Sequence, residues 1–414
     1  MFHEHMLDIK LIRQNPKLVK DGIKKKGTKP GLVDEILELD EKKRKVLQEI
    51  EGLRAEQNKL GKGDIKKGKE IKVKIKKLEP ELEKTDKELV EMLLALPNLP
   101  LKEVPLGGEE DSVVLREVGK RTKFGFKPKD YLRIAENLDL IDIAKAAKVV
   151  GTRFAYLKRE AALLELALVK FAFDSLVKEG FVPIIPPVML KSETARGMGY
   201  LEQADEKEAY YLPKDDLYLV GTSEQSIGVM HKDEVFLEKE LPRRYLGFST
   251  CFRREAGSYG KDTKGIFRVH QFDKVEMFSF CHPDKSEKEH RFFLSLEEKL
   301  MKSLKIPYRV INIAAGDLGR PAAKKYDIEA WLPGQGAYRE THSTSNCTDY
   351  QARRLNIRFK DKDGKLELVH MLNGTALAVG RLLIAIIENY QQKDGSVKVP
   401  EVLQKYLNFK VIGR

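Results

Sequence analysis

Two kinds of hydrophobic spacing divide this chain. Ile36, Leu39, Lys43, Val46, Ile50, Leu53, Gln57 and Leu60 follow one another at alternating steps of three and four residues. Ile71, Ile75, Leu78, Leu82, Thr85, Leu89, Met92 and Leu96 do the same, and Lys, Glu, Asp or Arg fill most positions between. A stripe repeating every 3.5 residues is the seam of two helices packed side by side. Gly61-Lys62-Gly63-Asp64 interrupts it and reads as the tip of an antiparallel helical hairpin. At the usual rise per residue each helix spans about 40 Å, so the hairpin is an arm. Pro80 falls inside the second series, where it either kinks that helix or marks its effective start.

Pro97, Pro100 and Pro105 end the arm, and a different regime begins near Val113. Helical patterns (Ala161 to Glu179, Glu287 to Leu304, Thr375 to Gln391) alternate there with strand-like runs. The runs are Leu217 to Gly221, Tyr245 to Phe252, Ile266 to Phe280, Tyr308 to Ile313, Tyr326 to Trp331 and Gln351 to Phe359. Helices beside hairpin-forming strands predict an α+β domain with a mostly antiparallel sheet. Two domains are expected, residues 1–105 and residues 106–414.

Hydrophobic residues make up 42% of the 414 positions and mean hydropathy is −0.43, as in globular proteins. No uncharged apolar run approaches the roughly 20 residues that span a bilayer. The longest, Thr375 to Ile387, is broken by Arg381, so no membrane association is expected. The start, Met1-Phe2-His3-Glu4-His5, has no apolar segment behind a basic one, so no secretory leader is expected. Cys251, Cys281 and Cys347 form no C-x-x-C pair, which predicts a reducing, cytoplasmic setting. His270, His282, His342 and His370 are scattered, and zinc is not expected. A formal net charge of +12 favours polyanions. Eight lysines between Lys62 and Lys77 (62, 66, 67, 69, 72, 74, 76, 77) face only Asp64 and Glu70. A solvated helix face and a grip on a phosphate backbone fit this stretch equally. Aromatics are missing from it, so base stacking is not the mode.

The chemistry concentrates elsewhere. Phe252-Arg253-Arg254-Glu255 is followed by Arg268-Val269-His270-Gln271-Phe272, with Gly257, Ser258, Gly260 and Asp262 between. Guanidinium forks match phosphate oxygens and an aromatic face suits a purine, so the pair fits a nucleotide triphosphate; a basic surface hairpin is the plainer alternative. Arg381 opens an apolar helix, Leu382 to Glu388, and needs an anion there, either a phosphate or an internal carboxylate. Phe181-Val182-Pro183-Ile184-Ile185-Pro186-Pro187 is an extended segment after a long helix. Neither a P-loop nor a strand–G-x-G-x-x-G–helix is present.

Long helix and Pro-bearing strand, F-R-x-E with a later R-x-x-x-F, and a Gly-Arg helix together resemble the three motifs of class II aminoacyl-tRNA synthetases. Thr222-Ser223-Glu224-Gln225, Ser249 to Gly257 and Gly265 to Phe272 look like seryl-tRNA synthetases within that class. So do Tyr338-Arg339-Glu340, Ser345 to Arg354 and Met371-Leu372-Asn373-Gly374-Thr375. The start (Met6-Leu7-Asp8, Arg13, Asn15-Pro16) and the arm match too, so the resemblance runs essentially from Met6 to the end.

The resemblance implies ATP-dependent formation of seryl-adenylate from L-serine, then transfer to tRNA(Ser), with tRNA(Sec) a second acceptor to consider. A carboxylate nucleophile is already ionised and needs no general base, so catalysis is positioning and charge stabilisation. Carried over from the family, Arg253 bridges the serine carboxylate and the α-phosphate, with Arg254 beside it. Glu255 and Phe272 hold adenine, and Arg268 and Arg381 neutralise the outer phosphates. Val269, His270 and Gln271, with Glu340, Thr341, His342 and Ser343, line the nucleotide, and Glu340 and Ser343 hold Mg²⁺. Thr222, Ser223 and Glu224 surround the amino group; Glu276, Asn373 and Thr375 meet the hydroxyl. Without the family, Glu276 reads as a sheet carboxylate paired with Lys274 or an arginine. The family further implies a homodimer, with the segment near Phe181 to Pro187 at its interface, and an arm that reaches the long variable arm of the tRNA.

Overall fold

The computed structural model describes residues 8–61, 64–200, 206–256, 262 and 264–413. Of the residues used above, Met1 to Leu7, Lys62, Gly63, Gly257, Ser258 and Gly260 lie outside them. The chain divides into two compact units, Met1–Leu99 and Pro100–Arg414.

In the first unit, α1 (Ile9–Gln14) and α2 (Pro16–Lys25) precede two long helices, α3 (Gly31–Asn58) and α4 (Ile65–Leu94). Ion pairs between the long helices run in opposite chain directions: Lys43–Asp86 at 2.7 Å, Arg54–Glu79 at 3.1 Å, Glu56–Lys67 at 2.9 Å. The pairing is therefore antiparallel. Val46, Ile50, Ile71 and Ile75 are buried in the seam, and Ile36, Leu89 and Leu93 pack with Ile12, Val19 and Ile23 of the short helices. Pro80 sits inside α4, so it does not mark that helix's start. It lies on the exposed face, where water can serve the carbonyl that its missing N–H leaves free. The hydrophobic pattern gives no hint of Asp40, which is buried within α3 and held by two hydrogen bonds from Arg13, at 2.7 and 2.6 Å.

The second unit is built on eight strands: β1 (Val113–Val118), β2 (Val182–Ile184), β3 (Arg243–Phe252), β4 (Gln271–Cys281), β5 (Tyr308–Asn312), β6 (Lys324–Leu332), β7 (Ala337–Asn346) and β8 (His370–Ala378). Their order is β1-β5-β6-β7-β8-β4-β3-β2, antiparallel throughout except β2 beside β3. Four helices bear on the site: α5 (Arg159–Leu176), α6 (Ser223–Val229), α7 (Ser286–Ser303) and α8 (Val379–Asn389). Leu164, Leu168 and Phe171 of α5, Phe293 and Leu300 of α7, and Leu382 and Ile386 of α8 share one core with Val275 and Met277 of β4. That core covers one face of the sheet.

Three expectations change. Ile266 to His270 is not strand; β4 begins at Gln271. Gly265 has φ +87° and lies so close to Tyr131 that a Cβ would meet its hydroxyl, and Ile266 N–H donates to that hydroxyl at 2.8 Å. The backbone is thus committed sideways rather than to a ladder. Thr375 to Ala378 closes β8, and the helix starts only at Val379, because Thr375 and Leu377 pair with Glu276 and Val275. Gln351 to Phe359 is mostly helix, Tyr350–Leu355, reversed at Asn356 (φ +54°) before the strand Arg358–Lys360.

Glu297 of α7 is fully buried beneath β8, with neither carboxylate oxygen hydrogen-bonded among the described residues. Gly374 allows this approach: a Cβ there would lie 3.0 Å from Phe293 and 3.2 Å from Glu297 Oε1. Burial, reinforced by Glu276 and Asp327, holds the Glu297 carboxyl well above the usual range. The folded state therefore binds a proton that the unfolded chain releases, and this group's contribution to stability falls as pH rises above its unfolded value. Glu297→Gln should stabilise the protein by on the order of 1 kcal/mol or more near neutral pH and by almost nothing at about pH 3.5, as read by denaturant melts at the two pH values.

Candidate active site

Strand alternation sorts the side chains of β4. Val275 and Met277 enter the helix-side core, whereas Lys274 and Glu276 line a cavity of about 330 Å³ on the other side. The β3–β4 ladder ends at Phe252–Gln271, and Arg253 N–H extends it to the His270 carbonyl at 3.0 Å. Arg253, Glu255 and Arg268 therefore meet at one mouth of the cavity. Arg253 donates from Nε to the Gly221 carbonyl at 3.1 Å and lies 5.3 Å from the Phe272 ring. Glu255, at φ +50°, turns back to accept from Arg268 Nη1 at 3.3 Å. Arg268 Nε is 3.5 Å from Asp262, which also takes a 2.5 Å bond from Arg339.

Arg381 reaches the same wall from the first turn of α8, 3.1 Å from Glu340 Oε1. Its partner in this structure is thus the internal carboxylate, one of the two options open in the sequence. Arg339 and Arg381 both cover Phe267, at 3.9 and 4.6 Å from its centroid. Glu340 and Ser343 are three residues apart on β7, which in a regular strand would place them on opposite faces. The register shifts here: Ile328 pairs with His342 and Glu329 with Glu340, leaving Thr341 unpaired as a bulge. Glu340, Thr341 and Ser343 consequently share the cavity wall.

At the inner end lie two buried carboxylates. Glu276 Oε2 is 2.5 Å from Lys274 Nζ and accepts from Thr222 Oγ1 at 3.3 Å; Oε1 has no partner among the described residues. Burial pushes the Glu276 carboxyl up, and Lys274 is the strongest influence pulling it down. Glu224 stands in the first turn of α6, whose Thr222 cap accepts the Glu224 N–H at 3.3 Å. Glu224 Oε1 takes bonds from the Tyr200 hydroxyl and from Asn373 Nδ2, the latter at 3.4 Å. Burial first, and then the charge of Glu276, push Glu224 up to about 7. Asn373 and Thr375 of β8 complete the pocket, Thr375 directly opposite Glu276 in the ladder.

Six residues assigned to the site from the sequence stand off the cavity wall. Thr222 donates to Glu276 at 3.3 Å. Ser223 is buried with its hydroxyl 3.5 Å from the Gly247 carbonyl. Arg254 hydrogen-bonds Glu208 through its backbone and lies 5.6 Å from the Tyr210 ring. His270 Nδ1 is 2.9 Å from the Arg253 carbonyl, and Gln271 is exposed. His342 lies fully buried beside Thr341, pushed down to about 3 by burial and therefore neutral. Conversely, Tyr200, Phe267 and Lys325 line the cavity without having been singled out, and Lys274 figured only as a neutralising partner. Lys274 was recoverable, since it lies two residues from Glu276 on one strand. Tyr200 carried no such signal.

Residues 6–100 match the family described as the seryl-tRNA synthetase N-terminal domain, and residues 210–390 the tRNA synthetase class II core domain (G, H, P, S and T). The serine–tRNA ligase of Acidothermus cellulolyticus is 49% identical over 98% of this chain and 99% of its own, and that of Thermobifida fusca 47% over the same shares. Among solved structures, seryl-tRNA synthetase from Pyrococcus horikoshii, complexed with ATP, superposes with a TM-score of 0.94 at 46% identity, covering 98% and 99% of the two chains. The cytoplasmic serine–tRNA ligase from Naegleria fowleri, in complex with AMP, gives 0.91 at 38%, covering 99% of each. An antiparallel sheet carrying converging arginines on its open face is the class II aminoacyl-tRNA synthetase architecture. Within that class, the chain belongs to the seryl-tRNA synthetases.

Proposed function

We propose that the cavity is where this enzyme carries out its family's reaction, the ATP-dependent attachment of L-serine to tRNA through seryl-adenylate. The observation that carries the assignment is Glu276 Oε1, a fully buried acceptor that faces a small polar cavity and has no hydrogen-bond partner among the described residues. A serine hydroxyl satisfies it, whereas alanine leaves it unpaired at the cost of an unmade buried hydrogen bond. Glu224 takes the serine ammonium and Thr375 borders the hydroxyl. Arg253, between this pocket and the mouth, bridges the serine carboxylate and the α-phosphate. Arg268 and Arg381 release Glu255 and Glu340 and turn to the outer phosphates, while Glu255 and Phe272 hold the base. In-line attack then depends on placement and on guanidinium charge at the leaving pyrophosphate.

Glu340 and Ser343 are oxygen donors on one wall, the set magnesium prefers, and two protein oxygens suit an ion shared with phosphates. Bound there, Mg²⁺ would offset phosphate charge. We further assign residues 1–105 as the tRNA-binding domain and residues 106–414 as the catalytic domain, with tRNA(Ser) as acceptor. Lys66, Lys69, Lys72, Lys74, Lys76 and Lys77 are all exposed along α4, a cationic face suited to a phosphate backbone. A homodimer is favoured by apolar surface near the sheet edge: Leu166 of α5 is 64% exposed and Ile185, just after β2, 82%. Three buried cysteines, none of them in a disulfide among the described residues, fit a cytoplasmic setting, and no described helix is long and apolar enough to cross a membrane.

Pyrophosphate exchange with each amino acid in turn should select serine over alanine by about 10³-fold or more. Greater exchange with alanine or glycine would sink the pocket assignment. Reversing Lys69, Lys72 and Lys76 to Glu should lower tRNA charging about tenfold or more, with a shallower salt dependence, while exchange stays within about twofold. Equal loss of both activities would contradict the role given to the arm. Leu166→Glu with Ile185→Glu should shift the protein toward monomer in light scattering at about micromolar concentration; an unchanged mass would remove that face from the interface.

A further inference from the structure

Building on the assignment of Glu276 to the substrate hydroxyl, we propose that Lys274 is a positioning residue that sets the pocket's selectivity. It occupies one oxygen of Glu276 so that the other must be met by a hydroxyl donor. Lys274 and Glu276 stand two residues apart on β4, on the cavity side, with Nζ 2.5 Å from Oε2 and side chains only 11% and 1% exposed. Thr222 Oγ1, from the cap of α6, donates to the same oxygen at 3.3 Å. One oxygen is engaged from two elements, and Oε1 is left without a partner among the described residues.

That division matters only while Glu276 is an anion. An ionised carboxylate accepts and never donates; a protonated one carries its own donor and has less need of the substrate's. Pressure toward protonation is strong. Burial drives the carboxyl up, Glu224 shares the pocket, and Glu297 lies on the far side of the sheet. Two carboxylates in one buried site favour protonation of one of them. The groups facing Glu276 are Glu224 and Thr222 from α6, Tyr200, Arg253 after β3, Glu297 from α7 and Lys274 on its own strand. Arg253 also favours the anion, yet its guanidinium is engaged with Gly221 and Phe272 and borders the mouth. Lys274 is the cation in direct contact. The pairing that makes Glu276 look like an ordinary sheet carboxylate is therefore what keeps it selective.

The test compares Lys274→Met, which keeps length and removes charge, with Lys274→Arg, which keeps charge. Pyrophosphate exchange is followed with serine and with alanine from about pH 6 to about pH 9. For Lys274→Met, kcat/KM for serine should fall about 100-fold near neutral pH while KM for ATP stays within about twofold. The serine-to-alanine ratio should drop about tenfold, and the acid limb of the serine profile should move up by about one unit, so that activity partly returns in alkali. Lys274→Arg should leave the limb in place. Lys274→Gln serves the same comparison where the methionine variant does not fold. An unshifted limb with an unchanged ratio in the uncharged variant, or an equal shift in the arginine variant, overturns the proposal. Glu276→Gln, measured alongside, separates the two layers. If it leaves the serine-to-alanine ratio intact, the pocket assignment itself fails. If it collapses the ratio while Lys274→Met does not, only the role of Lys274 is lost.

Discussion

The antiparallel ladder joining β3 to β4, unbroken from Arg243–Phe280 to Phe252–Gln271, governs the geometry of the catalytic unit. Its register decides which side chains of β4 face the helices and which face the cavity. A slip of one residue would send Lys274 and Glu276 into an apolar core and bring Val275 and Met277 to the open side. Its end point matters equally, because Arg253 and Glu255 follow the last pair directly and meet Arg268 there. The bulge at Thr341 does the complementary work on β7 by turning Glu340 to the side of Ser343.

Buried charge in this unit is handled in two contrasting ways. Glu276 lies on the cavity side beside Lys274 and remains available as an acceptor. Glu297, on the helix side of the same sheet, has no hydrogen-bond partner among the described residues and is held toward its neutral form. Nearer the mouth, three arginines each have a carboxylate, Arg268 with Glu255, Arg381 with Glu340 and Arg339 with Asp262, while Arg253 donates to the Gly221 carbonyl. Most of the positive charge at the mouth is thus matched by carboxylates of the protein itself. In the proposed mechanism nucleotide binding is an exchange of partners, which spares the protein a cluster of unpaired buried cations.

Much of this was legible in the chain, for identifiable reasons. The 3.5-residue repeat specified the arm because few other structures bury every third and fourth side chain. Long motifs around Arg253, Arg268, Glu340 and Thr375 identified the family. What escaped were features set by tertiary contact. Thr375 to Ala378 has helical spacing but is drawn into the sheet by β4, and Ile266 to His270 has strand-like composition but is held aside by Tyr131. Tyr200 lies outside the motifs and meets Glu224 only through the fold. Asp40 falls outside the 3.5-residue stripe and looks like a solvent residue until Arg13 is found against it.

That buried pair has a mechanical consequence for the arm. A seam of interchangeable aliphatic side chains could slide by a whole heptad with little loss of packing. An aspartate buried in α3 and clasped by a guanidinium from α1 fixes that helix against the short helices, because moving α3 along α1 would strand a charge. One turn further along, Lys43–Asp86 ties α3 to α4 and disfavours a slide between the two long helices. The two long helices are thereby held to a single alignment, anchored where α3 leaves the short helices.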